Sequence, residues 1–538
     1  MVKNFSRKRG MRFVLVTRRL TYLSSVLLLV STGVSAQAMP RVAAKPQTPG
    51  EQRAEKLLAA ARANPLDLYA FLYRMPKGAD LHVHLFGAVY AETFIKDAAE
   101  DGLCIDIASH AFAKPRTSET SLTPACADGQ LPAAHALQDQ HLYDALVDAF
   151  SMRGFVPFTG TTGHDHFFDS FDKFDANALS PHHLGEWIDE IATRAAAQNE
   201  QYLELMHTPN FDHTTALAKA VGWNDDLAKL RNTLLARGLR DDVAVARGEI
   251  DQADSRRQIE HCGQPDAAPA CRVQIRYIYQ VLRGFPKEQV FAQTLLGFET
   301  ASADARFVGI NFVMPEDGYV SMRDYALQMR MVGFLHTQYP KVHISLHAGE
   351  LAPGLVPYEG LCCHIRLAVE VARAERIGHG VDVMYESRPY DLLGEMAAKH
   401  VMVEINLTSN DVILGVTGKN HPLPIYRHYN VPVALSTDDE GVSRINLTHE
   451  YVRAVDTYGL HYADLKQMVR TGMEHDFLPG PSLWRAPDSF GETVAACSHD
   501  ALGIEKPSAK CADFLAHSDK ASAQWELERR FRSFEAAP

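Results

Sequence analysis

Four short runs along this chain each consist of apolar, β-prone residues ending in side chains that can bind a metal or move a proton. They read Asp80-Leu81-His82-Val83-His84, Ser345-Leu346-His347-Ala348-Gly349-Glu350, Arg376-Ile377-Gly378-His379-Gly380 and Leu435-Ser436-Thr437-Asp438-Asp439. A parallel barrel imposes this pattern. Its strands are buried on both faces, and its reactive side chains gather at their C-terminal ends. Eight β-prone runs occur in all, near 78–84, 201–206, 273–279, 306–313, 342–347, 376–379, 401–406 and 431–437, most followed by an amphipathic helical stretch. This alternation predicts an α/β fold, a TIM (β/α)8 barrel, over a doubly wound sheet.

A bare barrel needs about 250 residues, so a chain of 538 must carry large insertions. We place them at about 100–160 and about 250–271, inside a barrel domain spanning 75–480. A helical lead-in, 39–74, precedes it and a C-terminal extension, 481–538, follows. Residues 1–38 read as a signal peptide. Lys3, Arg7, Lys8, Arg9, Arg12, Arg18 and Arg19 come first, then an apolar run from Leu20 to Val30 and small residues suited to cleavage near Ala36 or Ala38. That apolar run falls short of the roughly 20 residues a spanning helix needs, so export to the periplasm or medium, without stable membrane insertion, is the expectation.

Eight cysteines agree with an oxidising compartment. Cys104 with Cys126, Cys262 with Cys271 and Cys497 with Cys511 form locally spaced couples in loop-like segments. They are expected to be disulfides, although sequence does not fix connectivity. Adjacent Cys362 and Cys363, in a stretch that reads as helical, are expected to be buried free thiols, with a disulfide between the two or a metal role as the lesser alternatives. The formal charge of −12 disfavours nucleic acid as a partner.

Each motif alone is a weak signal. His82 and His84 alternate on one strand and so face the same way, while Asp80 reads as a structural group inside the barrel. Asp438-Asp439 could be a mere helix start. Together, at the ends of separate strands, they supply neutral imidazoles and a carboxylate, the donor set that holds a catalytic Zn²⁺ and leaves a position for water. His379, between two glycines, suits orientation of the nucleophile. Glu350 can carry protons, and Asp439 can face the substrate. His164 and His166 imitate the ligand spacing but sit ahead of a predicted helix.

Those motifs, with Met75-Pro76-Lys77, Tyr202-Leu203-Glu204, Gly163-His164-Asp165-His166-Phe167-Phe168 and the stretch Asn406 to Asn410, resemble the adenosine deaminases over roughly residues 70–480. Within them the chain is most similar to the secreted, growth-factor-like branch, as a bacterial-type exported member. The resemblance implies one zinc ion bound by His82, His84, His347 and Asp438. It implies Glu350 as proton donor to the purine ring, His379 and Asp438 positioning hydroxide, and Asp439 on the imidazole side of the base. Gly349 belongs to the expected substrate contacts. Two positions depart from the family pattern: Phe86 stands where an Asp meets the ribose, and Met314 where a Gly amide meets the purine.

The expected function is zinc-dependent hydrolytic deamination of adenosine or deoxyadenosine to inosine and ammonia. Rival readings are deamination of another 6-aminopurine or a modified nucleoside, a non-catalytic secreted binding or signalling protein, and an amide-cleaving amidohydrolase. The expected partner is a small purine nucleoside, and the 100–160 insertion offers a surface for a homodimer.

Overall fold

A computed structural model describes residues 47–118, 121–175 and 179–537. The expected signal peptide lies outside the described residues. Eight parallel strands form one sheet in chain order: β1 (Gly78–His84), β2 (Glu200–His207), β3 (Gln274–Leu282), β4 (Phe307–Val313), β5 (His343–Ala348), β6 (Arg376–His379), β7 (Met402–Ile405) and β8 (Val433–Leu435). The two edges meet just beyond β8. There the Asp438 amide donates to the His82 carbonyl at 2.8 Å, and the His84 amide donates to the Asp438 carbonyl at 3.2 Å. The barrel expected from the alternating pattern is the fold observed, with strands close to their expected positions.

The helices Leu184–Ala197, Lys287–Ala303, Tyr319–Gln338 and Pro389–Lys399 lie between successive strands and bury apolar faces. β2 and β4 are buried along their whole length. This explains why β4, with Asn311 as its one polar side chain, reads as a nearly continuous apolar run rather than an alternating one. The helices Pro49–Ala61 and Pro65–Arg74 form the lead-in, the first of them opened by a capping box between Thr48 and Glu51. They meet the C-terminal helix Asp519–Ala536, where the rings of Phe71 and Phe534 lie 5.3 Å apart. Among the described residues, no helix is long and apolar enough to cross a membrane.

After β1 the chain builds a small antiparallel sheet from Cys104–Asp106, Ala111–Ala113 and Gln130–Pro132, then the helices Gln140–Ala149 and Gly163–Phe174. The segment near 250–271 starts inside the helix Asp241–Ile259. Cys104–Cys126, Cys262–Cys271 and Cys497–Cys511 are disulfide-bonded. The expectation of free thiols at Cys362 and Cys363 is corrected, because these two are bonded to each other. The stretch holding them is a bend rather than a helix, and Cys363 has φ +86°, so the two side chains can turn toward one another.

The floor of the barrel is charged. Arg376, fully buried, places Nε 2.6 Å from Glu404 Oε1 and Nη2 2.6 Å from Glu204 Oε2. Its guanidinium also lies 3.8 Å from the centre of the Phe477 ring. Removing one partner of such a buried network strands the others without countercharge, typically at a cost of about 3–5 kcal/mol. Arg376→Met is therefore expected to destabilise the protein on that scale in urea unfolding. A loss below about 1 kcal/mol would mean that the carboxylates find other partners.

Candidate active site

Four strand ends converge on one cluster, and the backbone breaks sharply where they do so. Met314, Gly349, His379 and Asp438 have φ of +83°, +75°, +71° and +62°. Left-handed backbone is costly for residues other than glycine, and where it persists it often marks a functional site. At Gly349 a side chain would also meet Asp382 Oδ1 at 2.5 Å, so the turn between His347 and Glu350 needs glycine twice over. Gly378 serves by close approach, since a Cβ there would lie 2.6 Å from His82 Cε1.

The cluster brings together ligand atoms of His82, His347, His379 and Asp438 within 4.8 Å of one another, with His84 and Asp439 grouped around the same Asp438. Asp438 Oδ1 lies 3.2 Å from His84 Nε2 and 3.6 Å from His82 Nε2, while Oδ2 lies 3.7 Å from His379 Nε2. The four histidines are not equivalent, and their outer hydrogen bonds show why.

His82 Nδ1 is 2.6 Å from Glu404 Oε2, a carboxylate, so Nδ1 carries the proton. His347 Nδ1 is 2.8 Å from Asn311 Oδ1, and the His347 amide donates to the same oxygen at 3.0 Å, which fixes the Asn311 orientation. His84 Nδ1 is 2.8 Å from Gln280 Oε1, while Gln280 Nε2 donates to Thr208 Oγ1 at 3.0 Å. All three therefore aim a bare Nε2 lone pair into the cluster. Two of these, on His84 and His347, lie only 3.2 Å apart. Bare nitrogens at that distance repel unless a cation lies between them. His82 Nε2 is buried without a partner, so the donor set fits a divalent metal. Outer-shell partners of this kind are how proteins fix ligand tautomers.

His379 is wired the opposite way. The Leu423 amide donates to His421 Nδ1 at 3.1 Å, so His421 Nε2 is the protonated nitrogen and donates to Asn410 Oδ1 at 3.0 Å. That turns Asn410 Nδ2 toward His379 Nδ1, at 2.9 Å. His379 Nδ1 must then accept, leaving the proton on Nε2, which points at the cluster as a donor. Burial holds His379 neutral, its pKa pushed down to about 3. Burial, then the neighbouring His82 and His379, also drives His347 well below the usual histidine range.

Burial lifts the Glu350 carboxyl well above the usual range, with the Asp438 and Glu316 carboxylates adding to it. Its loop is held by Glu316, which accepts from the amides of Gly349 at 3.0 Å and Glu350 at 2.8 Å and pairs with His364 Nδ1 at 2.5 Å. Burial, opposed by His84 and supported by Asp438, raises Asp439 as well. Asp438 goes the other way: bonds from His82 and His84 outweigh burial and keep it ionised.

Every predicted site residue except Gly349 lines the pocket above the cluster or belongs to the cluster itself. Phe86 and Met314 are both in the pocket wall. His164 and His166 are elsewhere, within the helix Gly163–Phe174 rather than ahead of it. His164 Nε2 lies 3.0 Å from Asp317 Oδ1, and His166 Nε2 is 3.1 Å from the Ser151 carbonyl. Asp80 accepts from the Thr437 amide and hydroxyl and ties β1 to the end of β8. Sequence reading missed Glu404, Gln280, Glu316 and His421. A charged Glu404 inside Met402–Ile405 was a visible signal, because such a residue in a buried strand needs a partner.

A parallel barrel with a metal-fitting His and Asp cluster at its C-terminal mouth defines a metal-dependent hydrolase. A family model described as adenosine deaminase matches residues 138–485, and the chain belongs to that family: it is a metal-dependent deaminase. It is 25% identical over 442 residues to an aminodeoxyfutalosine deaminase of Streptomyces coelicolor, a match covering 80% of this chain and 88% of that protein. It is 32% identical over 168 residues to an adenosine deaminase of Clostridium perfringens, covering 31% of this chain and 43% of that protein, less than half of the relative's length. Among solved structures, an Arabidopsis N6-mAMP deaminase is similar at 18% identity and a TM-score of 0.48, covering 76% of this chain and 96% of the other.

Proposed function

We propose that the protein hydrolytically deaminates the 6-amino group of a purine nucleoside of the adenosine or deoxyadenosine type, using one zinc ion held by His82, His84, His347 and Asp438. The observation that carries this reading is the placement of a buried Glu350 carboxyl, its pKa raised by burial, beside three histidines that aim bare Nε2 atoms into one cluster. A donor set of imidazoles and one carboxylate suits zinc, and a zinc ion there supplies water acidified to a pKa of roughly 7. Glu350 presents its proton to the ring nitrogen beside the attacked carbon. His379 Nε2–H and Asp438 Oδ2 face each other across 3.7 Å and are placed to hold the attacking oxygen between them. Asp439, raised in pKa, donates to the imidazole side of the base.

The test is ammonia release from adenosine by the purified, zinc-loaded protein, followed with the ultraviolet change from adenine to hypoxanthine. No release from any purine nucleoside, with zinc bound and the fold intact, would remove the deaminase reading and favour a binding protein.

The tautomer chain yields its own prediction. Asn410→Asp replaces the donor facing His379 Nδ1 with an acceptor of the same shape and moves the His379 proton to Nδ1. A reversed tautomer of this kind is expected to lower kcat by about 10²-fold or more, with zinc content and melting temperature little changed. Unaltered kcat would mean that the orientation of His379 does not matter.

We also propose export, with membership of the secreted, growth-factor-like branch. The charged-then-apolar N-terminus and four disulfides support it, since such bonds persist in oxidising compartments. Intact mass of the protein recovered from periplasm or medium tests it, and an uncleaved cytosolic form would refute it.

A further inference from the structure

The pocket over the cluster has a volume of about 1000 Å³, the upper end of the range of about 300–1000 Å³ for pockets that engulf drug-sized ligands. A nucleoside is smaller than such ligands and leaves much of this space unfilled. What lines the remainder decides what else belongs there. His84, His347, His379 and Asp438 of the cluster, with Glu350 and Asp439, form part of the pocket's lining. The rest of the wall is mixed: Phe86, Phe168, Phe171, Trp187, Phe211 and Ile413 give it a large apolar area, beside Ser180, Thr208, Asn210 and several carboxylates. Phe86 meets Trp187 edge to face at 5.5 Å and His207 at 5.9 Å. The residue standing at the expected sugar end therefore belongs to that apolar area.

Charge points the same way. Among the described residues that line the pocket there is no Lys and no Arg, while Asp172, Asp175, Asp212 and Glu249 are there. Burying a phosphate against such a surface would leave its charge unpaired and repelled. An uncharged apolar group, by contrast, gains roughly 25 cal/mol for each Å² it hides from water.

We propose that this chamber is a second subsite, and that it accepts an uncharged, apolar substituent on the sugar 5′ carbon of the nucleoside, such as a 5′-thioether, and rejects a 5′-phosphate. The proposal rests on the deaminase reading and specifies its substrate class. Purine at the cluster and substituent against Phe86, Phe168 and Trp187 together fill the cavity that a bare nucleoside does not.

The zinc-loaded protein is assayed with adenosine, adenosine 5′-monophosphate, 5′-methylthio-5′-deoxyadenosine and its benzylthio analogue. The expected result is kcat/KM at least about tenfold higher for the thioethers than for adenosine, and at least about tenfold lower for the monophosphate. Equal or better turnover of the monophosphate, or no gain with either thioether, overturns the subsite. Phe168→Arg places a cation in the wall and is expected to narrow or invert the gap between thioether and monophosphate, whereas an unchanged ratio overturns the assignment of that wall. Calorimetric binding to zinc-loaded Glu350→Gln protein separates this proposal from the reading beneath it. Tighter binding of the benzylthio compound than of adenosine supports the subsite even if no nucleoside is turned over by the unmodified protein, in which case the deaminase reading alone falls. Equal binding removes the subsite while leaving deamination of adenosine standing.

Discussion

Glu350→Gln is expected to lower kcat by about 10²–10⁴-fold, the usual worth of a positioned proton donor, with zinc content and fold unchanged. The substitution keeps size and shape, and it keeps the amide that donates to Glu316 at 2.8 Å. What it removes is a proton that the site is built to retain. Glu350 is buried, its nearest basic neighbour is His379 Nδ1 at 3.7 Å, and that nitrogen is engaged with Asn410. Burial and two neighbouring carboxylates then favour the neutral acid. A bound divalent cation would favour the ionised form and draw the pKa back down toward the working pH, where a catalytic acid is most effective. The result that would sink the assignment is a variant with kcat within about tenfold of the original. A variant that lost its zinc as well would make Glu350 a contributor to the metal site, so metal analysis accompanies the kinetics.

Much of this site was legible because barrel strands expose their function at their ends. His82 and His84, His347 and Glu350, His379, and Asp438 with Asp439 each close an apolar run, and the fold brings four such ends together. The strands themselves were legible for the same reason: a buried parallel strand such as Phe307–Val313 has no polar face to blur its pattern. What sequence could not supply was the wiring between strands. Glu404 orients His82 from a strand 322 residues away, and Asn311 orients His347 across 36 residues. Nothing local in either segment announces its partner. His421 lies in a loop, and its role depends on a single amide, that of Leu423, which fixes one tautomer and through it two more groups. The paired Cys362 and Cys363 were misread because their stretch has helical composition, whereas the left-handed backbone at Cys363 is a tertiary outcome.

Asp438→Ala is expected to abolish zinc binding and activity together and to lower the melting temperature to that of chelator-treated protein. Asp438 is the one carboxylate between His84 and His82 on one oxygen and His379 on the other. Without it, three imidazoles must hold the ion alone, with no carboxylate among its ligands. Zinc that binds only the native state stabilises it by about 4 kcal/mol when present at a thousand times its dissociation constant, so chelation of the unmodified protein should give a clear loss that added zinc restores. The Asp438→Ala protein should respond to neither treatment. The side chains also predict how this depends on pH. Burial disfavours charge on His82, but Asp438 and Glu404 outweigh it and carry its pKa up to about 10, so a proton competes for the place of the cation. Metal binding must displace that proton, and apparent zinc affinity should rise with pH across the range below 10, as expected where ligands must deprotonate. Competition with a chelator of known affinity at pH 6, 7 and 8 measures this directly. A flat dependence would show that the metal binds without displacing a proton from His82, and would remove His82 from the ligand set.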